Sequence, residues 1–285
     1  MFGCYASIAD IKNVLGITAT TDDTMIRKIA ESASRSIDQY CNRYFVTQSA
    51  TKYFNGAVTL WTPDLLSITT LKTDEDGDGT YENSFDITFA TGDVIPYGVG
   101  LEDTLNTFPK IRLEINPEGD YGSFASGVKK GVEIDGVWGY GDGISATPYI
   151  VDTTLATTIS SATTTTVVVT AVTNLSAGQL IKMNTEQMYI YSISSTTLTV
   201  ERGVNGTTAA TSHTAGISLY IYQYPSDIRQ ACIDLSVALY QNRAKQGLQT
   251  ERIGDYSYTI AETSLGKSMV ESILDSIRSY KRMRF

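Results

Sequence analysis

Histidine is nearly missing from this sequence: His213 stands alone among 285 residues, so no site that needs two imidazoles can be built. A catalytic triad resting on one histidine would need a nucleophile elbow, and none is present. His213 lies in a Thr/Ser-rich stretch beside Gly216 and reads as a surface loop residue. Cysteine is also scarce. Cys4, Cys41 and Cys232 are far apart with no Cys-x-x-Cys spacing, and an odd number leaves at least one unpaired. Two of them fall on apolar faces of predicted helices, so they read as small buried hydrophobes in a reducing cytoplasm, with no redox or metal role. Long apolar runs are absent, and Met1-Phe-Gly-Cys-Tyr5 lacks the basic start of a signal segment, so no membrane association is expected. Cations are outnumbered, 22 Lys and Arg against 31 Asp and Glu for a net charge of -9. That balance argues against an extended phosphate-gripping surface, although DNA could pass by without being held. No spacing of Asp and Glu singles out an acid and base pair for glycoside hydrolysis. The chain is expected not to be an enzyme.

The residues that are present divide the chain into three kinds of pattern. Ser7-Ile-Ala-Asp10 starts a short helix with a capping box, which Gly16 closes after Leu15. Asp22 and Asp23 then open a long amphipathic helix whose stripe is Ile26, Ile29, Ala33, Ile37, Tyr40 and Tyr44. From Thr47 to Tyr140 short β-rich runs follow, at 67–71, 85–89, 110–115 and 132–138, separated by Gly, Asp, Asn and Pro. They predict a small antiparallel sheet. From about Pro148 to Tyr222 the composition turns to Thr, Ser, Val and Ala with almost no charge. Strands at 165–170, 188–193 and 197–200, with turns at Asn205-Gly206 and Ala215-Gly216, predict an all-β module.

Helical patterning resumes after Pro225 with Ile228, Ala231, Cys232, Leu235, Ala238 and Leu239, and Gly247 is placed to end it. A polar loop with Gly254, Tyr256 and Tyr258 leads to a last helix marked by Met269, Val270, Ile273, Leu274, Ile277 and Tyr280. Two N-terminal helices cannot bury their stripes alone, so the chain ends are expected to pack together. The predicted fold is α+β. A helical bundle formed by the N- and C-terminal helices joins a small antiparallel β-region in a discontinuous core, 1–147 and 223–285, with residues 148–222 inserted as an all-β domain. This domain is expected to fold alone and its removal to leave the core able to fold.

Two clusters carry chemistry. Asp74-Glu-Asp-Gly-Asp-Gly79 places three carboxylates at alternate positions before glycine, like the first half of a calcium loop. Its twelfth position is Phe85 rather than a bidentate Glu, and the flanks read as strands, so an acidic hairpin tip is the preferred reading. Calcium held by Asp74, Asp76, Asp78 and Glu82 is the alternative, and no other cofactor is expected. Arg278, Lys281, Arg282 and Arg284 gather before Phe285; they suit a protein partner, DNA, or the dipole of the last helical turn. The 18 tyrosines admit a sugar-binding or adhesive β protein, though Tyr40, Tyr44 and Tyr280 lie on helix stripes and read as core or subunit contact.

The order of motifs resembles a family. The Ser7-capped helix ending in Leu15-Gly-Ile17, then a helix ending Ser36-Ile-Asp-Gln-Tyr-Cys-Asn-Arg-Tyr-Phe45, looks like the start of tailed-phage head-tail connector (adaptor) proteins. Gly136-Val-Trp-Gly-Tyr140, Tyr224-Pro-Ser-Asp-Ile-Arg-Gln-Ala-Cys232 and Gln249-Thr-Glu-Arg-Ile-Gly-Asp-Tyr-Ser257 are similar to its second half. In shorter members the Trp-Gly-Tyr strand runs almost directly into the Pro-led helix, which fits an insertion here. Leu198-Thr-Val-Glu-Arg-Gly-Val-Asn-Gly-Thr207 also resembles a β module of other phage virion proteins.

The resemblance implies a homo-oligomeric ring, commonly of twelve copies, under the portal protein in the virion neck, assembled in the host cytoplasm. It would extend the DNA channel without specific DNA binding and offer a surface to a stopper, tail completion or tail terminator protein. Connector C-terminal segments grip the portal, so the resemblance assigns Arg278, Arg282, Arg284 and Phe285 to portal contact. Another virion structural protein, a sugar-binding or adhesive β protein, or a hydrolase with an unrecognised site are the alternatives.

Overall fold

A computed structural model of the protein describes residues 3–88, 91–99, 107–243, 250–253, 256–259 and 269–282. The fold is α+β. Helix α1 (Ile8–Leu15) is capped as its sequence requires: Ser7 Oγ accepts from Asp10 N, and the Asp10 carboxylate reaches back to Ser7 N. Gly16 ends it at φ 67°, in the left-handed region that glycine enters without penalty. Helix α2 (Asp23–Cys41) stops one turn earlier than its apolar stripe suggests. Asn42 takes the left-handed conformation at φ 51°, and Tyr44 leaves the stripe for solvent. Helix α3 (Ser226–Asn242) packs against α2, α1 and α4 (Met269–Ser276), which gives the helices from both chain ends a common contact. The last helix is shorter than expected: α4 ends at Ser276, and Arg278–Tyr280 form one 3-10 turn. Gly247 lies outside the described residues.

The first β-region is larger than a small sheet. It comprises β1 (Gln48–Phe54), β2 (Thr59–Thr73), β3 (Asn83–Ser84), β4 (Val94–Gly98), β5 (Lys110–Ile115) and β6 (Val132–Trp138). The order is β1-β6-β2-β5-β4, with β3 paired to β2. Alternation along β6, with Val132, Ile134 and Trp138 buried, faces Leu60, Leu65, Leu71, Leu113 and Phe124 into one cluster. The run at 85–88 is not a strand. Asp86 accepts the Thr88 amide at 2.8 Å and its own amide donates to Asp93 at 2.7 Å, which diverts the chain. Phe85 is buried there against Tyr121 and Phe124.

The second sheet holds β7 (Tyr149–Thr154), β8 (Thr166–Val168), β9 (Leu180–Met183), β10 (Glu186–Ser194), β11 (Thr197–Glu201) and β12 (Ser218–Tyr222), in the order β7-β12-β9-β10-β11-β8. The stretch expected as a polar loop after α3 carries a hairpin, β13 (Thr250–Ile253) with β14 (Tyr256–Thr259). The second sheet encloses its own apolar cluster around Ile181, Met188, Ile190, Leu198 and Leu219. It also gives Leu180, Tyr189, Val204 and Tyr222 to a third cluster, which they share with α1, α2 and α3. The Asn205-Gly206 turn is pinned to the first sheet. Both residues have positive φ, Thr207 N donates to Val204 O at 3.2 Å, and Ser49 N donates to Asn205 O at 3.0 Å. A Cβ at Gly206 would lie 2.0 Å from Ser49 O, so only glycine permits this approach.

Candidate functional site

The C-terminal segment lies along the junction of helices and first sheet. Phe45 is ringed by Tyr5, Tyr140 and Tyr280 at centroid distances of 5.6, 5.4 and 5.7 Å, so aromatic packing ties the 3-10 turn to the chain just past α2 and just past β6. Tyr40 Oη donates to Asp275 at 2.9 Å and Arg282 N to Cys41 O at 2.8 Å. Arg278 sits in the 3-10 turn; Arg284 and Phe285 lie outside the described residues.

Arg282, which the family resemblance assigns to portal contact, is held within its own subunit. Its guanidinium donates to Thr62 O and lies 3.4 Å from Asp64 Oδ1, which is also 3.5 Å from Arg43 Nη1. Asp64 is 5% exposed, and burial raises its pKa against the pull of Arg43 and Arg282. Burial lowers that of Arg282. Lys52, 4.5 Å over the Trp138 ring, completes three cations around a cleft of about 180 Å³.

At the other end of β6 stands the Asp-rich loop. Asp74 is buried and accepts Gly77 N at 2.6 Å and Gly79 N at 2.8 Å, while Asp76 accepts Asp78 N and Asp78 accepts Thr80 N. Desolvation pushes the Asp74 pKa up, but these amides outweigh it and hold it lowered. Asp76, Asp78 and Glu82 are exposed, and one ligand oxygen from each of the four carboxylates falls within 4.8 Å of the others. That set could hold a hard cation such as calcium.

His213 is not a surface residue. It is 1% exposed, with Nε2 2.7 Å from Glu186 Oε2. Arg202 meets the same carboxylate through Nε at 2.6 Å and Nη2 at 2.8 Å, and donates to Ser161 O, Thr164 O and Ala210 O. Gly203 N and Ala210 N also donate to Glu186. The cluster thus staples the 202–213 loop to β10, and composition near His213 hides it because both partners are distant in sequence.

Asp38 is a further buried carboxylate, within the helical core. Tyr5 Oη donates to Asp38, accepts Phe45 N at 3.1 Å, and Arg35 Nε lies 3.2 Å from Asp38 Oδ2. Burial drives the Asp38 pKa up to about 6, against Arg35 and Tyr5. The three cysteines are free and buried, and burial raises each thiol, Cys41 to about 12, which disfavours the thiolate form. No helix among the described residues is long and apolar enough to cross a membrane.

No curated protein matches the sequence. The family model of the phage gp6-like head-tail connector proteins matches residues 5–77, the span that runs from the cap of α1 through α2, β1 and β2 into the Asp-rich loop. The match points to a structural rather than a catalytic protein and to a bacteriophage virion, and it supports a head-tail connector family for this chain.

Proposed function

We propose that this protein is a subunit of the ring that joins a phage capsid to its tail. Copies of the chain would stack beneath the portal, extend the DNA channel, and present their far face to a stopper, tail completion or tail terminator protein. The observation that carries this reading is the family match over 5–77, because that span contains both N-terminal helices, β1, and β2, the longest strand of the first β-region. The acidic balance of -9 agrees with a conduit that lets DNA pass without gripping it. Twelve copies is the stoichiometry that the family resemblance suggests. Assembly would take place in the host cytoplasm and end in the virion neck.

Portal docking falls to the end of the chain. Arg278, Arg284 and Phe285 would contact the portal, with Phe285 as apolar anchor and the arginines pairing with carboxylates. Arg282 contributes by holding the segment on Asp64 and Thr62. Truncation should therefore stop after Arg282. Removing residues 283–285 should give a folded subunit that fails to join portal-bearing heads, seen by electron microscopy as filled heads without tails or as heads that leak DNA. Tailed, infectious particles at normal yield would overturn the docking role. A sugar-binding module is less well supported, since Tyr189 and Tyr222 of the second sheet are buried and Tyr149, Tyr191 and Tyr220 are only half-exposed, so no fully exposed tyrosine face is presented by the sheet.

A further inference from the structure

Around Asp64 the protein collects more positive charge than it uses. Arg43, Lys52 and Arg282 face one buried carboxylate, an excess of two cations at a cleft of about 180 Å³. Arg43 is the most telling of the three. Its side chain is 10% exposed, and its Nε and Nη1 are buried with no hydrogen-bond partner, although the guanidinium stacks on Tyr140 at 4.8 Å. A buried donor left unmade costs about 1–3 kcal/mol, more for a charged group, so such a site favours an added acceptor. Arg282 is already divided between Asp64 and Thr62 O, and Lys52 stands at the half-exposed rim.

The complement lies on the same subunit but out of reach. Gly139 N donates to Asp64 O at 2.8 Å and Asp74 N to Gly131 O at 2.9 Å, so the cleft and the Asp-rich loop mark opposite ends of β6. Seven strand residues hold them roughly 23 Å apart. Glu75, Asp76 and Asp78 project into solvent from a loop that Asp74 braces from beneath. Lys129 and Lys130 lie in the adjoining segment, where Lys130 O accepts Tyr81 Oη, and they offset part of this charge without cancelling it. One subunit therefore carries a negative tip and a positive cleft at its two ends. Such an arrangement favours a heterologous, head-to-tail contact, which closes into a ring when the rotation permits.

We propose that the Arg43, Lys52 and Arg282 cleft receives a carboxylate of the 75–78 loop from a second copy of this chain. The contact rests on the ring reading above and gives that ring its charged joint. A free phosphate would satisfy the same donors, and the test separates the two sources. DNA fits less well, because the cleft is small and the surrounding protein is acidic overall.

The test is a charge-swap cycle in the full chain, read by sedimentation velocity and native mass spectrometry. Asp76→Lys with Asp78→Lys alters only exposed positions, and Lys52→Glu alters the rim; thermal melts check that each is folded. Should Lys52→Glu fail to fold, Lys52→Met keeps the stem over Trp138 and removes the charge. Each change alone should weaken self-association by about tenfold or more, high salt should weaken the unaltered protein, and the combined swap should recover most of the loss. Assembly that ignores the swaps, a combined variant no better than its worse parent, or an unaltered chain that stays monomeric at every soluble concentration would overturn the proposal. So would inorganic phosphate raising the melting temperature through Lys52 while the swaps leave assembly alone. The two readings fail differently: swapped variants still forming rings in tailed particles would remove this joint only, whereas absence of the chain from particles would remove the connector role.

Discussion

Replacing Glu186 by glutamine keeps the shape of the side chain and removes its charge, which isolates the contribution of the cluster at the centre of the second sheet. Both partners are desolvated: the side chains of Glu186 and Arg202 are 1% and 5% exposed. In the variant the Arg202 guanidinium would keep its bonds to Ser161 O, Thr164 O and Ala210 O but lose its counter-charge. Breaking one side of a buried pair costs about 3–5 kcal/mol, a large part of the roughly 5–15 kcal/mol that holds a domain folded. At roughly 2–4 °C per kcal/mol for a domain of this size, the melting temperature should fall by about 6–20 °C. Hydrogen exchange should quicken first at 202–213 and 158–164, the segments that the cluster clamps. Replacing both partners, Glu186→Leu with Arg202→Met, should cost at least as much as the single change, because Gly203 N, Ala210 N and His213 Nε2 lose their acceptor and Ser161 O, Thr164 O and Ala210 O lose their donor. The pH dependence has a defined sign. Burial raises the Glu186 pKa, but the bonds from Arg202, Ala210 and His213 outweigh it and leave it lowered. Its stabilisation is therefore present above the unfolded carboxylate range and fades as pH falls through the folded value, so the gap between the two proteins should narrow in acid. A single variant that melts within about 2 °C of the unaltered protein at neutral pH would refute the assignment of a buried, charged clamp.

Asp38 has the opposite sign. Its pKa rises from 3.8 to about 6, so its cost is absent below the unfolded value and grows as pH rises through the folded one; Asp38→Asn should gain on the unaltered protein across that window, by about 3 kcal/mol at most. Urea unfolding at several pH values measures this, and a flat difference would contradict it. Joining Gly143 to Tyr224 removes Leu180, Tyr189, Val204 and Tyr222 from the shared cluster, at about 1.5–3 kcal/mol for each large apolar side chain. Against the expectation from sequence that the core folds without residues 148–222, the loss of these shared side chains predicts insoluble or loosened protein, and a soluble product with a sharp melt would show instead that the rest of the core closes by itself. For the Asp-rich loop the expected response to calcium or chelator is none, since hairpin amides already occupy Asp74. A melting shift abolished by changing Asp74, Asp76 and Asp78 together to asparagine would make it a metal site.

Local rules were legible without the fold. The capping box at Ser7, the glycine stop at Gly16 and the alternation of 132–138 depend on neighbours within a few residues, and each appears where its spacing placed it. The same holds for the Asn205-Gly206 turn, because positive φ at both positions is a property of those residues. Tertiary structure decided the rest, through partners that spacing cannot reveal. His213 looked like a loop residue because Ser, Thr and Gly surround it, yet it is buried by Glu186 from a strand begun 27 positions earlier. Tyr44 continued a helical period that Asn42 breaks, and Phe85 began an apparent strand that Asp86 and Asp93 divert. Sequence placed Arg282 in a basic partner-facing cluster and could not show its intramolecular contacts, because its acceptors, Asp64 and Thr62, stand about two hundred residues away and meet it only in the folded chain. Periodicity reports which face of an element is apolar; which distant carboxylate neutralises a buried cation depends on how the elements pack, and only the folded chain decides that.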